Sequence, residues 1–207
     1  MFYQILFSVL LFFMSQVSYG KTYLDKTRVI INEVDNEGTV NVKNVDSSSI
    51  LLQIWIDNGD INQDVLTTKT PFLITSPIVK VSGGDSHQIR ILSINKSSLP
   101  NNKESAFWLN VLEIKEKKKD SFEDKVNVSF RTRIKLFYRP DAIGKLINDD
   151  TNEMLTFQLI GSNGNMKIKV NNPTPVYRTF SYANNRNDKN KNIINGVDMV
   201  APFSNIT

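Results

Sequence analysis

Side chains able to do covalent or metal chemistry are scarce in this chain. It has no cysteine and one histidine, His87, so a thiolate nucleophile, a disulfide and a cysteine–histidine metal set are all excluded. His87 sits beside Gly84 and Asp85 at an expected strand start, with no second histidine to share a metal and no recognisable nucleophile–base relay around it. Asp57 with Asp60 and the pair Asp149-Asp150 offer carboxylates to a hard cation, but their spacing matches no ordered calcium loop and they read as solvated turns. No catalytic residue, metal site or cofactor is expected. What remains is recognition through charge and backbone, and it concentrates in Asn127–Pro140, NVSFRTRIKLFYRP.

From the preceding Val126 onward, Val126, Val128, Phe130, Thr132, Ile134, Leu136 and Tyr138 are apolar or β-forming, while Asn127, Ser129, Arg131, Arg133, Lys135 and Arg139 are polar or basic. Strict alternation predicts one long strand with a docking face and a solvated face. Phe137 is the exception on the polar face. Upstream, short β-rich segments are predicted at Arg28–Asn32, Thr39–Asn44, Ile50–Ile56, Ile78–Val81, Ser86–Ile94 and Ala106–Ile114, punctuated by turn residues such as Gly83-Gly84. That punctuation predicts an immunoglobulin-like sandwich. Pro140 cannot donate to a ladder and ends the long strand, and the polar run Asp141–Asn152 suits a domain junction. Beyond it, strands are expected at Leu155–Ile160, Met166–Val170 and Val176–Tyr182, with Asn184–Asn195, dense in Asn, Asp and Lys, as a loop.

The 207 residues, 40% hydrophobic and 10% aromatic, suffice for two small packed domains. The first twenty residues carry no charged side chain; Ile5–Met14 is a short apolar run followed by Ser18-Tyr19-Gly20. This predicts a secretory signal, residues 1–20, cleaved before Lys21; the rival reading, an N-terminal membrane anchor, asks for a longer apolar run. Export without cysteine leaves stability to core burial. The net charge of +4 is spread along the chain, its densest patch being Lys115, Lys117, Lys118 and Lys119 interleaved with Glu113 and Glu116. For an exported chain that patch reads as a solvated loop, and neither nucleic acid nor a small-molecule substrate is an expected partner.

The wording of several segments adds to this. Thr132–Pro140, TRIKLFYRP, closely resembles the end of the first domain in periplasmic pilus-assembly chaperones, which escort fimbrial subunits to an outer-membrane usher. Thr27-Arg28-Val29-Ile30 looks like that family's first-strand motif, Gln53-Ile54-Trp55-Ile56 its tryptophan-bearing strand, and Ser105–Val111 the strand before the long one. Asn172-Pro173-Thr174-Pro175-Val176-Tyr177 resembles a second-domain signature. The matches fall in order over most of the chain beyond residue 25. The resemblance implies an all-β protein of two immunoglobulin-like sandwich domains, residues 21–140 and 141–207. About 65 residues for a domain that usually needs roughly 90 to 100 make the second one incomplete.

Within that resemblance the protein lends its long strand to a subunit's open core. Val126, Val128 and Phe130 match the alternating donor residues, and at roughly 1.5–3 kcal/mol for each buried side chain they supply about 5–8 kcal/mol before binding costs. Arg28 and Lys135 match the cations that anchor the subunit's C-terminal carboxylate. Glu104 and Arg139 match members of an interdomain ion-pair network whose further acidic member is missing from the chain. The implied function is a periplasmic, non-enzymatic chaperone whose partners are pilus subunits and the usher. The alternatives are a secreted β-sandwich adhesin or pilus subunit, which usually carries a disulfide, and a shortened, non-functional chaperone. A periplasmic hydrolase is disfavoured by the missing nucleophile–base constellation.

Overall fold

The computed structural model describes residues 22–65, 68–115, 129–144, 155–161, 166–185 and 188–207. Its first domain runs through β1 (Thr22–Leu24), β2 (Arg28–Asn32), β3 (Glu37–Asn44), β4 (Ile50–Asp57), β5 (Phe72–Ile74), β6 (Ile78–Val81), β7 (Ser86–Ser93), β8 (Ser105–Lys115) and β9 (Arg131–Arg139). A four-stranded sheet, β1-β3-β7-β5, faces a five-stranded sheet, β2-β9-β8-β4-β6. The period-two pattern of the sequence is the reason: every second residue of β3 is buried, and β4 alternates in the same way up to its end. Val29, Ile31, Val40, Val42, Leu52, Ile54, Ile89, Ile91, Leu109, Val111, Leu136 and Tyr138 fill the space between the sheets. Each fully buried aliphatic side chain is worth roughly 1.5–3 kcal/mol. The Gly83-Gly84 turn is required by close approach, since a Cβ on Gly83 would lie 2.2 Å from the carbonyl oxygen of Ser47.

Pro140 ends β9 as expected, and the junction opens with a short helix, α1 (Asp141–Gly144), that buries Ile143. The second domain contains β10 (Thr156–Ile160), β11 (Lys167–Asn172), β12 (Arg178–Asn185), β13 (Asp188–Val200) and β14 (Ser204–Ile206), in sheets β10-β11-β14 and β12-β13. Both domains close one corner with the same device. Asn44 donates to the carbonyls of Ser48, Val81 and Ser82, and Asn172 donates to those of Val176, Val200 and Ala201. Each asparagine also accepts the N–H two residues ahead, so a buried amide is satisfied and a strand end is clasped to a neighbouring strand.

Two expectations are corrected. The described residues of Asn184–Asn195 are strand and not loop: β13 starts at Asp188 and pairs antiparallel with β12, through register shifts between Phe180 and Asn185. A two-stranded ribbon pairs its inward-facing backbone groups in the ladder and leaves the outward-facing ones to solvent, so polar composition does not forbid it. The long strand begins at Arg131 rather than at residue 126; Ser129 and Phe130 precede it outside the sheet, although the Phe130 carbonyl still accepts the Glu113 N–H at 2.9 Å. Val126 and Val128, and the lysine-rich segment beyond Lys115, lie outside the described residues, as does Asp149-Asp150.

Candidate functional site

The seam between β2 and β9 sets two cations side by side. The strands pair in parallel, with Arg28 opposite Lys135, Val29 opposite Leu136 and Ile31 opposite Tyr138. Because Val29, Ile31, Leu136 and Tyr138 fill the core, alternation turns Arg28 and Lys135 to the outer face of the five-stranded sheet. Arg28 is exposed, and Lys135 is half-buried with its Nζ 3.3 Å from Thr179 Oγ1 of β12. The second domain thus reaches the same spot.

At that seam β9 changes from an inner strand to an edge. From Lys135 to Arg139 it is covered by β2, but β2 starts at Arg28 and covers nothing upstream. Arg131, Thr132, Arg133 and Ile134 pair with β8 on one side only, and among the described residues no strand pairs with their other side. Unpaired N–H and C=O groups there form a template for an incoming strand. Phe130, next in line, is 53% exposed.

The outer face also docks the second domain. Phe137, the exception to the alternation, is only 4% exposed there because its ring packs on Tyr177, with centroids 5.6 Å apart and planes at 35°. Beside it Glu104, 2% exposed, accepts hydrogen bonds from Arg139 Nε at 2.9 Å and from the Tyr177 N–H at 2.8 Å, and its own N–H donates to the Pro175 carbonyl at 2.8 Å. Glu104 and Arg139 are therefore brought together, with Tyr177 as a third member the sequence did not flag. Burial pushes the Glu104 carboxyl above its ordinary value, against the opposing pull of the Tyr177 N–H and Arg139. Burial, then the Glu104 charge, raises the Tyr177 hydroxyl.

Asp57 is the largest departure from expectation. It is not in a solvated turn: it closes β4, is 1% exposed, and lies on the outer face at the centre of a charged and aromatic cluster. Arg133 donates to it through Nη2 at 2.6 Å and Nε at 3.3 Å, Arg131 Nη2 lies at 3.4 Å, and Asn110 Nδ2 donates at 2.7 Å. Gly59, at φ +116°, turns the following loop so that its N–H meets Asp57 at 2.8 Å while its Cα side faces the Trp108 ring. Arg131 stacks over Trp55 at 4.9 Å and Arg133 over Trp108 at 4.8 Å. Burial raises the Asp57 carboxyl, but the hydrogen bonds from Arg133, Asn110 and the Gly59 N–H outweigh it and hold the group below its usual value. Asp60 is exposed, and its carboxylate accepts the Asn62 N–H at 2.9 Å. The available signal was Asn110, a polar residue inside the apolar run of β8.

His87 is the second residue of β7, and among the described residues no group of three or more His, Cys, Asp or Glu is placed to hold a metal.

Comparison with known proteins agrees with this architecture. Residues 21–144 match the model of the pili and flagellar-assembly chaperone PapD N-terminal domain, and residues 150–207 that of the pili assembly chaperone PapD C-terminal domain. The chain is 34% identical over 193 residues to the probable fimbrial chaperone YadV of Escherichia coli K12, covering 92% of this chain and 78% of the relative. It is 33% identical over 207 residues to the chaperone protein HifB of Haemophilus influenzae, covering 97% and 82%. Among solved structures, the Salmonella enterica SafA pilin in complex with the SafB chaperone superposes with a TM-score of 0.75 at 25% identity, over 92% of this chain and 84% of that one. The chain belongs to the family of PapD-like pilus assembly chaperones.

Proposed function

We propose that the protein is a periplasmic chaperone that binds pilus subunits by adding the open edge of β9 to a subunit's incomplete sheet, holds the subunit's terminal carboxylate with Arg28 and Lys135, and passes the subunit to an outer-membrane usher. The observation that carries this reading is the coincidence of two features at one place: the strand edge opens where the two cations stand. A neighbour added along Arg131–Ile134 and running parallel to β9 arrives at Lys135 with its C-terminus, end to end with the start of β2. An antiparallel neighbour brings an amine there instead. Two cations favour the first and repel the second. Charge-assisted hydrogen bonds of about 1.5–3 kcal/mol each also fix the register, because only one chain length places the carboxylate between them.

Backbone pairing supplies sequence-independent affinity, and apolar side chains upstream supply specificity. Phe130 is exposed and ready for that role, and Val126 and Val128 are assigned it by their alternation with Phe130. Glu104 and Arg139 are assigned to holding the domains at a working angle. The role requires no bond making or breaking, in keeping with a chaperone family. Residues 1–20 are assigned as the export signal, residues 21–140 as the subunit-binding domain, and the residues from 141 as its partner domain.

The test is co-expression with a pilus subunit from the same operon. Arg28→Ala and Lys135→Ala are expected to abolish co-purification of the subunit while circular dichroism and thermal unfolding stay close to the parent. Unchanged recovery of the complex refutes the anchor. Export is checked by fractionation and N-terminal sequencing, with Lys21 expected as the first residue of the periplasmic form.

A further inference from the structure

Arg131, Arg133, Lys135 and Arg139 share the outer face of β9. Alternate residues of a strand stand roughly 6.5–7 Å apart, so this row of like charges splays unless something restrains it. The edge that must stay clear lies on the β2 side, whereas every tether on the first two arginines lies on the opposite side. Asp57 and Trp55 belong to β4, Asn110 and Trp108 to β8, and the Ile61 carbonyl that accepts from Arg131 Nη1 at 3.1 Å belongs to the loop after β4. Asn110 Oδ1 accepts from Arg131 Nε at 2.9 Å and Nη2 at 2.6 Å, and Asn110 Nδ2 in turn donates to Asp57. Both guanidinium groups are thereby drawn inward, each over an indole ring, with their side chains only 29% and 21% exposed. Released, either arginine has the reach and the donors to fold over its own open edge and occupy the carbonyls a guest strand needs.

We infer that Asp57 is a positioning residue for strand capture: by fixing Arg131 and Arg133 across β8 it keeps the edge at Arg131–Ile134 clear and already ordered before a partner arrives. This rests on the strand-addition reading above. A side chain immobilised in the free protein need not be ordered at the moment of binding, and that saving appears directly as affinity.

The experiment uses the whole protein and two synthetic probes of alternating apolar sequence, one ending in a free carboxylate and the other in an amide. The parent is expected to prefer the acid, and Arg28→Ala to erase that preference. Asp57→Asn is expected to weaken both probes alike, by about tenfold, the effect of ordering two long side chains on binding. The acid-to-amide ratio stays at the parent value, and amide exchange at Arg131–Ile134 quickens in the unbound protein. Adding Arg131→Gln and Arg133→Gln to Asp57→Asn removes the groups that need restraint and is expected to restore most of the affinity. Asp57→Glu keeps the charge while shifting it by one methylene, and gives the same comparison, with a smaller loss, should Asp57→Asn not fold.

A purely structural Asp57 lowers the melting temperature but leaves affinity measured well below it unchanged; that result, or a triple variant no better than Asp57→Asn, overturns the inference. A parent that fails to distinguish acid from amide overturns the carboxylate anchor instead, and is read independently of any Asp57 effect.

Discussion

Replacing Glu104 by alanine removes the acceptor for two hydrogen bonds at once, one from the Tyr177 N–H at 2.8 Å and one from Arg139 Nε at 2.9 Å. Both involve an ionised group, and bonds of that kind are worth about 1.5–3 kcal/mol each. The Arg139 side chain keeps 26% exposure and recovers part of its loss from water, so the sum settles at about 3–5 kcal/mol, the range for breaking one side of a buried pair. Glu104→Gln keeps a neutral acceptor for Tyr177 and should cost about 1–2 kcal/mol. The two variants also separate by pH. The native Glu104 carboxyl titrates above 4.5, chiefly because it is buried. A carboxyl raised in the folded state adds stability that is complete below its unfolded value and is lost as pH rises through the native one. The stability of the parent relative to Glu104→Gln should therefore fall as pH climbs from the ordinary carboxyl value through the raised native one. Urea unfolding followed by circular dichroism gives the magnitudes, and hydrogen exchange of the Tyr177 amide reports the contact itself. A loss below about 1 kcal/mol for Glu104→Ala, with Tyr177 protection unchanged, refutes the assignment of Glu104 as the clamp between domains.

Two other perturbations follow from the same face. Phe137→Ala should cost about 3–5 kcal/mol by emptying a site that is nearly closed to solvent, and Phe137→Leu should recover most of it; denaturant midpoints decide, with an effect no larger than that of a surface substitution counting against the Phe137–Tyr177 contact. Asp57 carries the opposite pH sign from Glu104. Its native value lies below 3.8 because the bonds from Arg133, Asn110 and Gly59 outweigh burial, so its contribution is present above the unfolded value and is lost as pH falls through the native one. Acid titration should narrow the stability gap between the parent and Asp57→Asn, whereas a gap constant with pH would mean that the charge on Asp57 contributes nothing.

Much of this architecture was legible in the residues. The spans of β2 and β6 follow directly from short β-branched runs between turn signals, and the end of β9 follows from Pro140. The interruption at Phe137 was visible as well, but its cause lies at Tyr177, and alternation on one strand says nothing about what packs on its polar side. Asp57 could not be recognised for the same kind of reason: its partner Arg133 is 76 positions away, so an acidic residue at a strand end looks like a turn until the sheet brings β9 close. Asn184–Asn195 misled because composition reports solvation, while a hairpin needs only that its backbone groups meet. The cation pair was found through wording rather than periodicity. Neither Arg28 nor Lys135 is distinguished by its own pattern, and only the parallel register makes them neighbours.

Among the described residues, contacts between the domains gather at one short turn and the start of β12. Pro175 and Tyr177 meet Glu104, the Tyr177 ring meets Phe137, and Thr179 follows immediately to meet Lys135. The shape of that turn is dictated from inside its own domain, where Asn172 grips the Val176 carbonyl and the Thr174 N–H. The meeting of Thr179 with Lys135, at the seam where we propose that a guest's terminus is held, thus depends on a turn gripped by an asparagine buried in the second domain's interior.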